Sequence, residues 1–308
     1  MKEKYRGLPK VDLHNHGVMG GRIEDLELAL EKNLDRLDFP ALNFSKFDDY
    51  ISYLLKECYS RFNGKEGIEL LFSLTLAEAK KDGITILETS FDSQLIRFWS
   101  NRALGVVESL KKIHNNIAPE ICFRPEIGIA RDLDTESTLE AARELMSTNF
   151  FTSVDLYGDE FARPIDQYQG FYREAKSNGL LCKAHIGEFG SAESIRYGVD
   201  CLDLDVVQHG IAASQSTEIM QWLERNGIAL NVTPTSNLCL GLIKDIKHHP
   251  IRLLYDFGIE LTIASDDILV FGANVSDEYA ILEEKRVLSS SELEEIRVRS
   301  LRKYNHLF

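Results

Sequence analysis

Cysteine is scarce in this 308-residue chain: Cys58, Cys122, Cys182, Cys201 and Cys239 are the only five. They are odd in number and form no Cys-x-x-Cys pair, which excludes a disulfide framework or a thiolate zinc site and leaves buried thiols. Long apolar runs are missing too, so no segment is long enough to cross a bilayer and no membrane partner is expected. The opening Met1-Lys2-Glu3-Lys4-Tyr5-Arg6 lacks the apolar stretch of a secretory signal, and the expected compartment is the cytoplasm. Positive charge is in deficit, 35 Lys and Arg against 49 Asp and Glu, for a formal charge of -14. With no basic cluster interleaved with aromatics, that balance repels phosphate backbones and argues against a nucleic-acid partner. Low-complexity tracts, solenoid-period repeats and Gly/Ser/Pro-rich linkers are also absent. The 44% hydrophobic and 27% charged content then fits a soluble chain, folded as one domain over residues 1–308.

What recurs is the strand. Short runs rich in Val, Ile and Leu lie at 10–14, 84–89, 121–128, 151–157, 180–185, 203–208, 227–232 and 259–264. Between them, 95–115, 134–147, 165–178, 191–200, 214–225 and 246–257 carry helical periodicity with charged faces. Eight strands alternating with helices predict an α/β fold, a closed parallel (β/α)8 barrel, in which the active site is built at the carboxyl ends of the strands. One stretch is too long for a crossover helix: residues 18–82, mostly helical, including an amphipathic run from Phe47 to Leu55. It reads equally as a lid over the barrel mouth or as extra packing. Ser291 to Phe308 reads as a final helix on the barrel's outside.

Position on the strands turns ordinary polar residues into candidates. His14 and His16 follow the first strand at period two, which puts both imidazoles on one face. Alone, the pair is as compatible with surface or core histidines as with a metal. The fifth strand ends in Lys183-Ala184-His185 with Glu188 on the next loop, where a carboxyl can move protons beside a metal-activated water. The sixth ends in Gln208-His209-Gly210, and the eighth in Ser265-Asp266-Asp267. Four of the eight histidines therefore fall at the ends of three strands, with an acidic pair on a fourth. Such a set suits a divalent ion such as zinc with a position left for water. His114, His248, His249 and His306 lie in helical or loop segments and read as surface residues.

These motifs, in this order, resemble the adenosine deaminase family of the metal-dependent amidohydrolase barrels, over nearly the whole chain. Leu8-Pro9-Lys10-Val11-Asp12-Leu13-His14-Asn15-His16 is similar to the family's opening, Val154 to Glu160 to its fourth-strand segment, and His185-Ile186-Gly187-Glu188 to its His-Ala-Gly-Glu motif. Gln208-His209-Gly210, Thr233-Pro234-Thr235-Ser236-Asn237-Leu238, Ser265-Asp266-Asp267 and Glu278-Tyr279 complete the series. The resemblance implies one Zn2+ per chain, or another divalent metal, on His14, His16, His185 and Asp266. It implies that His209 orients or deprotonates the attacking water and that Glu188 protonates ring nitrogen N1. Asp267 would hold N7 and the backbone of Gly158 would meet N3. The implied partner is a small aminopurine, with adenosine plus water giving inosine plus ammonia as the default reaction of purine metabolism. The His-x-Glu and Pro-Cys-x-x-Cys pattern of the other zinc deaminase architecture is absent, which disfavours nucleic-acid editing.

The chain departs from the family at substrate-side positions. After the second histidine the family shows Leu-Asp-Gly, whose aspartate binds ribose; here the run is Gly17-Val18-Met19-Gly20-Gly21, with no carboxylate before Glu24. The second strand carries Leu87 to Gln94 in place of a Glu and Arg motif, and Glu88 and Asp92 read as structural more readily than as replacement contacts. Ile268 stands where proline commonly follows the paired aspartates. Lys183 shares the inward parity of His185, and Asp12 that of His14, so the two are expected to pair beneath the metal. Two further readings stay open: an amidohydrolase acting on a cyclic amide or ester, and a catalytically silent binding barrel.

Overall fold

The computed structural model describes residues 2–31 and 64–304. Its eight strands are β1 (Lys10–Asp12), β2 (Ile84–Asp92), β3 (Cys122–Ala130), β4 (Ser153–Tyr157), β5 (Leu181–Ile186), β6 (Val206–His209), β7 (Ala229–Val232) and β8 (Leu261–Ile263). They pair in sequence order, every pair parallel. The ring is drawn together where Asp266 N–H donates to the carbonyl of His14 at 2.9 Å, just past the ends of β8 and β1. This is a (β/α)8 barrel, and all eight expected strands are present.

Side-chain alternation explains why the strands sit as they do. Leu87, Ile127, Val154, Cys182, Val207 and Leu230 are buried and belong to the main hydrophobic cluster with the surrounding helices. The alternate positions carry Glu88, Glu126, Asp155, Lys183, Gln208 and Asn231, also buried and held by hydrogen bonds or ion pairs across the strands. The interior of this barrel is therefore a polar network where branched apolar side chains would be usual. Such groups persist in a dry interior only when each finds a partner.

Lys183 is the hub, and its partner differs from the expectation. Its ammonium reaches Glu88 at 2.5 Å and Glu126 at 2.7 Å, and donates to the carbonyl of Leu13 at 3.2 Å. Asp12 instead accepts from the hydroxyl and backbone N–H of Ser265 and from Asn15. Inward parity is correct for both residues, but the lysine finds its carboxylates on β2 and β3 and meets the end of β1 only at the Leu13 carbonyl. Glu88 takes a structural role, since it also pairs with Arg124 at 2.7 Å and accepts from Tyr304 at 3.2 Å. Removing the hub leaves two buried carboxylates short of a counter-charge, and burial already pushes Glu126 up to about 7. Lys183→Met is expected to destabilise the protein by about 3 kcal/mol in urea unfolding. Adding Glu126→Gln should restore part of that loss, which a purely steric defect would not show.

The helices follow their sequence signals, with breaks where the backbone requires them. Asp134, Ser191 and Ser216 cap helices Thr135–Met146, Ala192–Leu202 and Thr217–Asn226 with their side chains, and Ser289 with Glu292 forms a capping box for Ser290–Lys303. The helical stretch expected over 95–115 divides into a 3-10 turn, Ser93–Phe98, and a helix, Arg102–Ile117. That expected over 246–257 divides at His249-Pro250, where proline has no N–H to continue the ladder.

Within the long stretch 18–82, the described helices are Ile23–Ala29 and Lys65–Lys81. Lys65–Lys81 buries Ile68, Leu71, Phe72, Thr75 and Leu76 on one face, and Thr75 donates to the carbonyl of Gly17 at 2.8 Å. This part packs the first loop against the barrel. The run Phe47 to Leu55 lies outside the described residues, as do Cys58 and His306. The other four cysteines are free thiols. No described helix is long and apolar enough to cross a membrane.

Candidate active site

The three residues His14-Asn15-His16 divide their work by parity. Asn15 turns away from the histidines: its side chain accepts from Thr89 at 2.8 Å and donates to Ser265 at 3.0 Å, tying β1 to β2 and to the β8 loop. Backbone bonds from Ser90 N–H to Asn15 and from Gly17 N–H to Ser90, both 2.9 Å, fix the same segment. His14 and His16 are thereby held facing the barrel axis, with ring centroids 5.6 Å apart.

His185 from β5 meets them, and its Nε2 lies 3.0 Å from His14 Nε2. The outer nitrogens set the tautomers. His185 Nδ1 sits 3.2 Å from the Asp155 carboxylate, and His14 Nδ1 lies 3.5 Å from the carbonyl of Asn231, so both outer nitrogens are donors. With both rings neutral, the two Nε2 lone pairs point at each other with no proton between them. That arrangement is repulsive on its own and fits a cation. Asp266 adds a carboxylate oxygen 3.5 Å from His16 Nε2 and 3.9 Å from His14 Nε2. The donor atoms of His14, His16 and His185 all lie within 4.8 Å of one another, as do those of His14, His209 and Asp266. Burial, reinforced by His209 and His185, holds His14 well below the usual imidazole range and keeps its lone pair free. For His185 burial also opposes charge, but the Asp155 carboxylate outweighs it and the group is pushed up to about 9.

Glu188 and His209, the candidate proton-transfer residues, sit beside these donors. His209 Nε2 is 3.5 Å from Glu188 Oε2 and 3.9 Å from Asp266. His209 and Asp266 both adopt left-handed backbone conformations, with φ of 59° and 60°, an uncommon state for non-glycine residues that costs on the order of 1 kcal/mol or more each. Glu188 is held by a device absent from the sequence reading. The buried carboxylate of Glu160 accepts from four successive backbone N–H groups, Gly187, Glu188, Phe189 and Gly190, at 2.7–3.1 Å. This cradle fixes the loop and aims Glu188 into the cavity, where its Oε1 is buried without a hydrogen-bond partner among the described residues. Burial first, and then the nearby Asp266 carboxylate, raise its carboxyl well above the usual range, which favours the protonated form.

A cavity of about 280 Å3 opens from these groups, and Gly158 and Asp267 line it with His16, His185, Glu188, His209 and Asp266. Seven of the eight site candidates named from the sequence line this one space, and the eighth, His14, lies against His185 at its edge. At Gly158 φ is +94°, and a Cβ there would collide with the Asp132 carboxylate, so only glycine leaves that wall open. The loop without a ribose carboxylate presents Gly17, Val18 and Met19 to the same cavity. A side chain at Gly17 would overlap the Phe72 ring. Asp92, Gln94, Arg97 and Asp132 line the other part of the rim.

Sequence reading missed Asp155, Glu160 and Ser90, which hold His185, the Glu188 loop and His16 Nδ1 (3.0 Å). The first and third share inward parity with ligand-type neighbours, a signal the strand pattern carries. The Glu160 cradle has no such signal, because it depends on how two loops meet. His249, read as a surface residue, is 2% exposed. It follows a short 3-10 turn and folds back beneath the loop after β7.

The family model for adenosine deaminase matches residues 9–304. The chain belongs to the adenosine deaminase family. It is 29% identical over 300 residues to the adenosine deaminase of Clostridium acetobutylicum, covering 91% of this chain and 87% of that one. Among solved structures it is similar to the adenine deaminase of Arthrobacter aurescens, with TM-score 0.83, 22% identity and coverage of 96% and 93%. It is also similar to the N6-mAMP deaminase of Arabidopsis, with TM-score 0.79, 20% identity and coverage of 96% and 92%. The last two likenesses establish the fold within which this family builds a hydrolytic deaminase site.

Proposed function

We propose that this chain is a metal-dependent hydrolytic deaminase of an adenosine-like aminopurine, with adenosine to inosine as the default reaction. The observation that carries this is the buried Glu188 carboxyl, one oxygen of which has no hydrogen-bond partner among the described residues, set beside His209 and a converging nitrogen donor set. His14, His16, His185 and Asp266 would hold a divalent ion, with zinc the natural choice for three imidazoles and one carboxylate. When bound, that ion supplies a Lewis acid that brings the pKa of water toward neutrality.

The chain's own residues do the rest. Glu188 donates its proton to ring N1, which makes C6 electrophilic and keeps that proton in the product; of the two protons given up by the adding water, one restores the Glu188 carboxyl and the other leaves with the amine as ammonia. His209 Nε2 faces the oxygen that adds to C6. Asp267 engages N7 on the opposite side of the ring, and the backbone of Gly158 meets N3. With those three edges held, N9 faces the ends of β1, β2 and β3. Val18 and Met19 offer apolar surface there, while Asp92 and Asp132 offer carboxylates.

Asp92 is the residue placed to replace the missing ribose contact. Its carboxylate is already anchored by Gln94 N–H at 2.8 Å and by a hydrogen bond from Tyr157. Asp92→Asn is expected to lower kcat/KM for adenosine about tenfold, the scale of one charge-assisted hydrogen bond, and to leave free adenine unchanged. An equal loss on both substrates would sink this assignment. The deaminase reading itself is tested by ammonia release from adenosine, deoxyadenosine, adenine and AMP and by methylamine release from N6-methyl-AMP. Metal-loaded protein inert toward all of them, yet hydrolysing a cyclic amide or ester, would replace it.

A further inference from the structure

His249 and Asn237 form a chain that ends on His209 and runs in one direction only. At its start the backbone N–H of Ile251 points at His249 Nδ1 at 3.0 Å. A backbone N–H can only donate, so Nδ1 must accept and the His249 proton lies on Nε2. His249 Nε2 is 3.1 Å from Asn237 Oδ1, which therefore accepts. The Asn237 amide is oriented by that bond, and its NH2 group faces His209 Nδ1 at 3.4 Å. The opposite amide orientation would need a proton on His249 Nδ1, set against the Ile251 N–H. Thr233 Oγ1, 2.9 Å from the same His209 nitrogen, is free to rotate its hydroxyl proton toward it.

We infer that His249, acting through Asn237, fixes His209 as the tautomer with its proton on Nε2, directed at Glu188 and Asp266. His209 then enters the reaction as a hydrogen-bond donor to the oxygen at C6. It orients that oxygen and stabilises its charge; it is not the resting-state base. This choice between the two roles rests on the deaminase reading, whereas the tautomer does not. His249 and Asn237 are positioning residues, since neither lines the cavity. Burial holds His249 down at about 3, so the imidazole stays neutral throughout the working range and keeps one donor and one acceptor. His248, next in the chain, is exposed and takes no part.

The tautomer can be read directly. Zinc-loaded protein labelled with 15N-histidine would be examined by long-range 1H–15N correlation, with the His209 signals assigned by their loss in His209→Gln. The expected spectrum has a protonated Nε2 and a lone-pair Nδ1 for His209. A protonated Nδ1 in the unmodified protein, as direct ligation of zinc by Nε2 would require, would overturn the inference without any variant or substrate. Asn237→Asp keeps the shape but offers only acceptors, so it should place a proton on Nδ1. It should also lower kcat about a hundredfold with KM within twofold. His249→Phe should lower kcat about tenfold, and His249→Gln, which can still donate to Asn237, should recover most of it. Equal losses in His249→Phe and His249→Gln would count against the chain. Unaltered His209 signals in Asn237→Asp would overturn it.

Discussion

Glu188→Gln is expected to lower kcat by about 10^3- to 10^4-fold while leaving metal content and fold intact. Glutamine reproduces the size of the side chain and its hydrogen bonding, but it has no proton to give to a ring nitrogen. The Glu160 cradle holds the loop through backbone N–H groups, so the substitution does not disturb its position. Metal analysis and thermal melting check the second half of the expectation, and single-turnover ammonia release the first. The pH profile gives a sharper test. Burial and the Asp266 carboxylate raise the Glu188 carboxyl, and in the proposed reaction its acid form is the active one. Activity of the unmodified protein should therefore decline as pH rises through that raised value, and the residual activity of Glu188→Gln should lack this limb. If the variant kept more than a tenth of the activity, Glu188 would not be the proton donor.

Stripping the ion with a chelator is expected to reduce ammonia release to background, and one equivalent of zinc per chain should restore it. His14→Ala should abolish both tight zinc binding and activity, because it removes one of the two facing nitrogens. The ion should also stabilise the fold by mass action. At a thousand times its dissociation constant the gain is about 4 kcal/mol. For a chain of this size that corresponds to a rise in Tm of roughly 6 °C. Affinity should depend on pH with a definite sign. The folded, ion-free protein holds a proton on His185 up to about 9, above the ordinary imidazole value. That proton contributes stability in full below the unfolded value, and its contribution is lost as pH rises through about 9. Zinc must displace it, so binding should release a proton and weaken as pH falls below 9. Two ions per chain at saturation would favour the amidohydrolase reading over the deaminase one.

How much of this was legible differs residue by residue. Alternation of short apolar runs with amphipathic helices specifies the barrel, because period two and period 3.6 are properties of the local chain. Once the barrel is known, the carboxyl end of each strand is known, and His14, His16, His185, His209 and Asp266 fall there by counting. Lys183 shows where counting stops. Its inward parity follows from the strand, but its partner is Glu88 on β2, since the choice among inward acids depends on the tilt of the strands and the lean of a four-carbon stem. His249 shows the same limit more strongly. Nothing local marks a histidine before proline as buried, and only the return of the chain beneath the β7 loop brings it to Asn237.

The sequence by itself determined the barrel, the family and the residues that gather at one end of it, because strand register and motif order are encoded locally. Tertiary structure alone decided which buried charges pair, what holds the Glu188 loop, and which nitrogen of His209 meets the site. Each of those depends on distances between segments far apart in the chain, and a hydrogen bond is made or lost within a few tenths of an ångström.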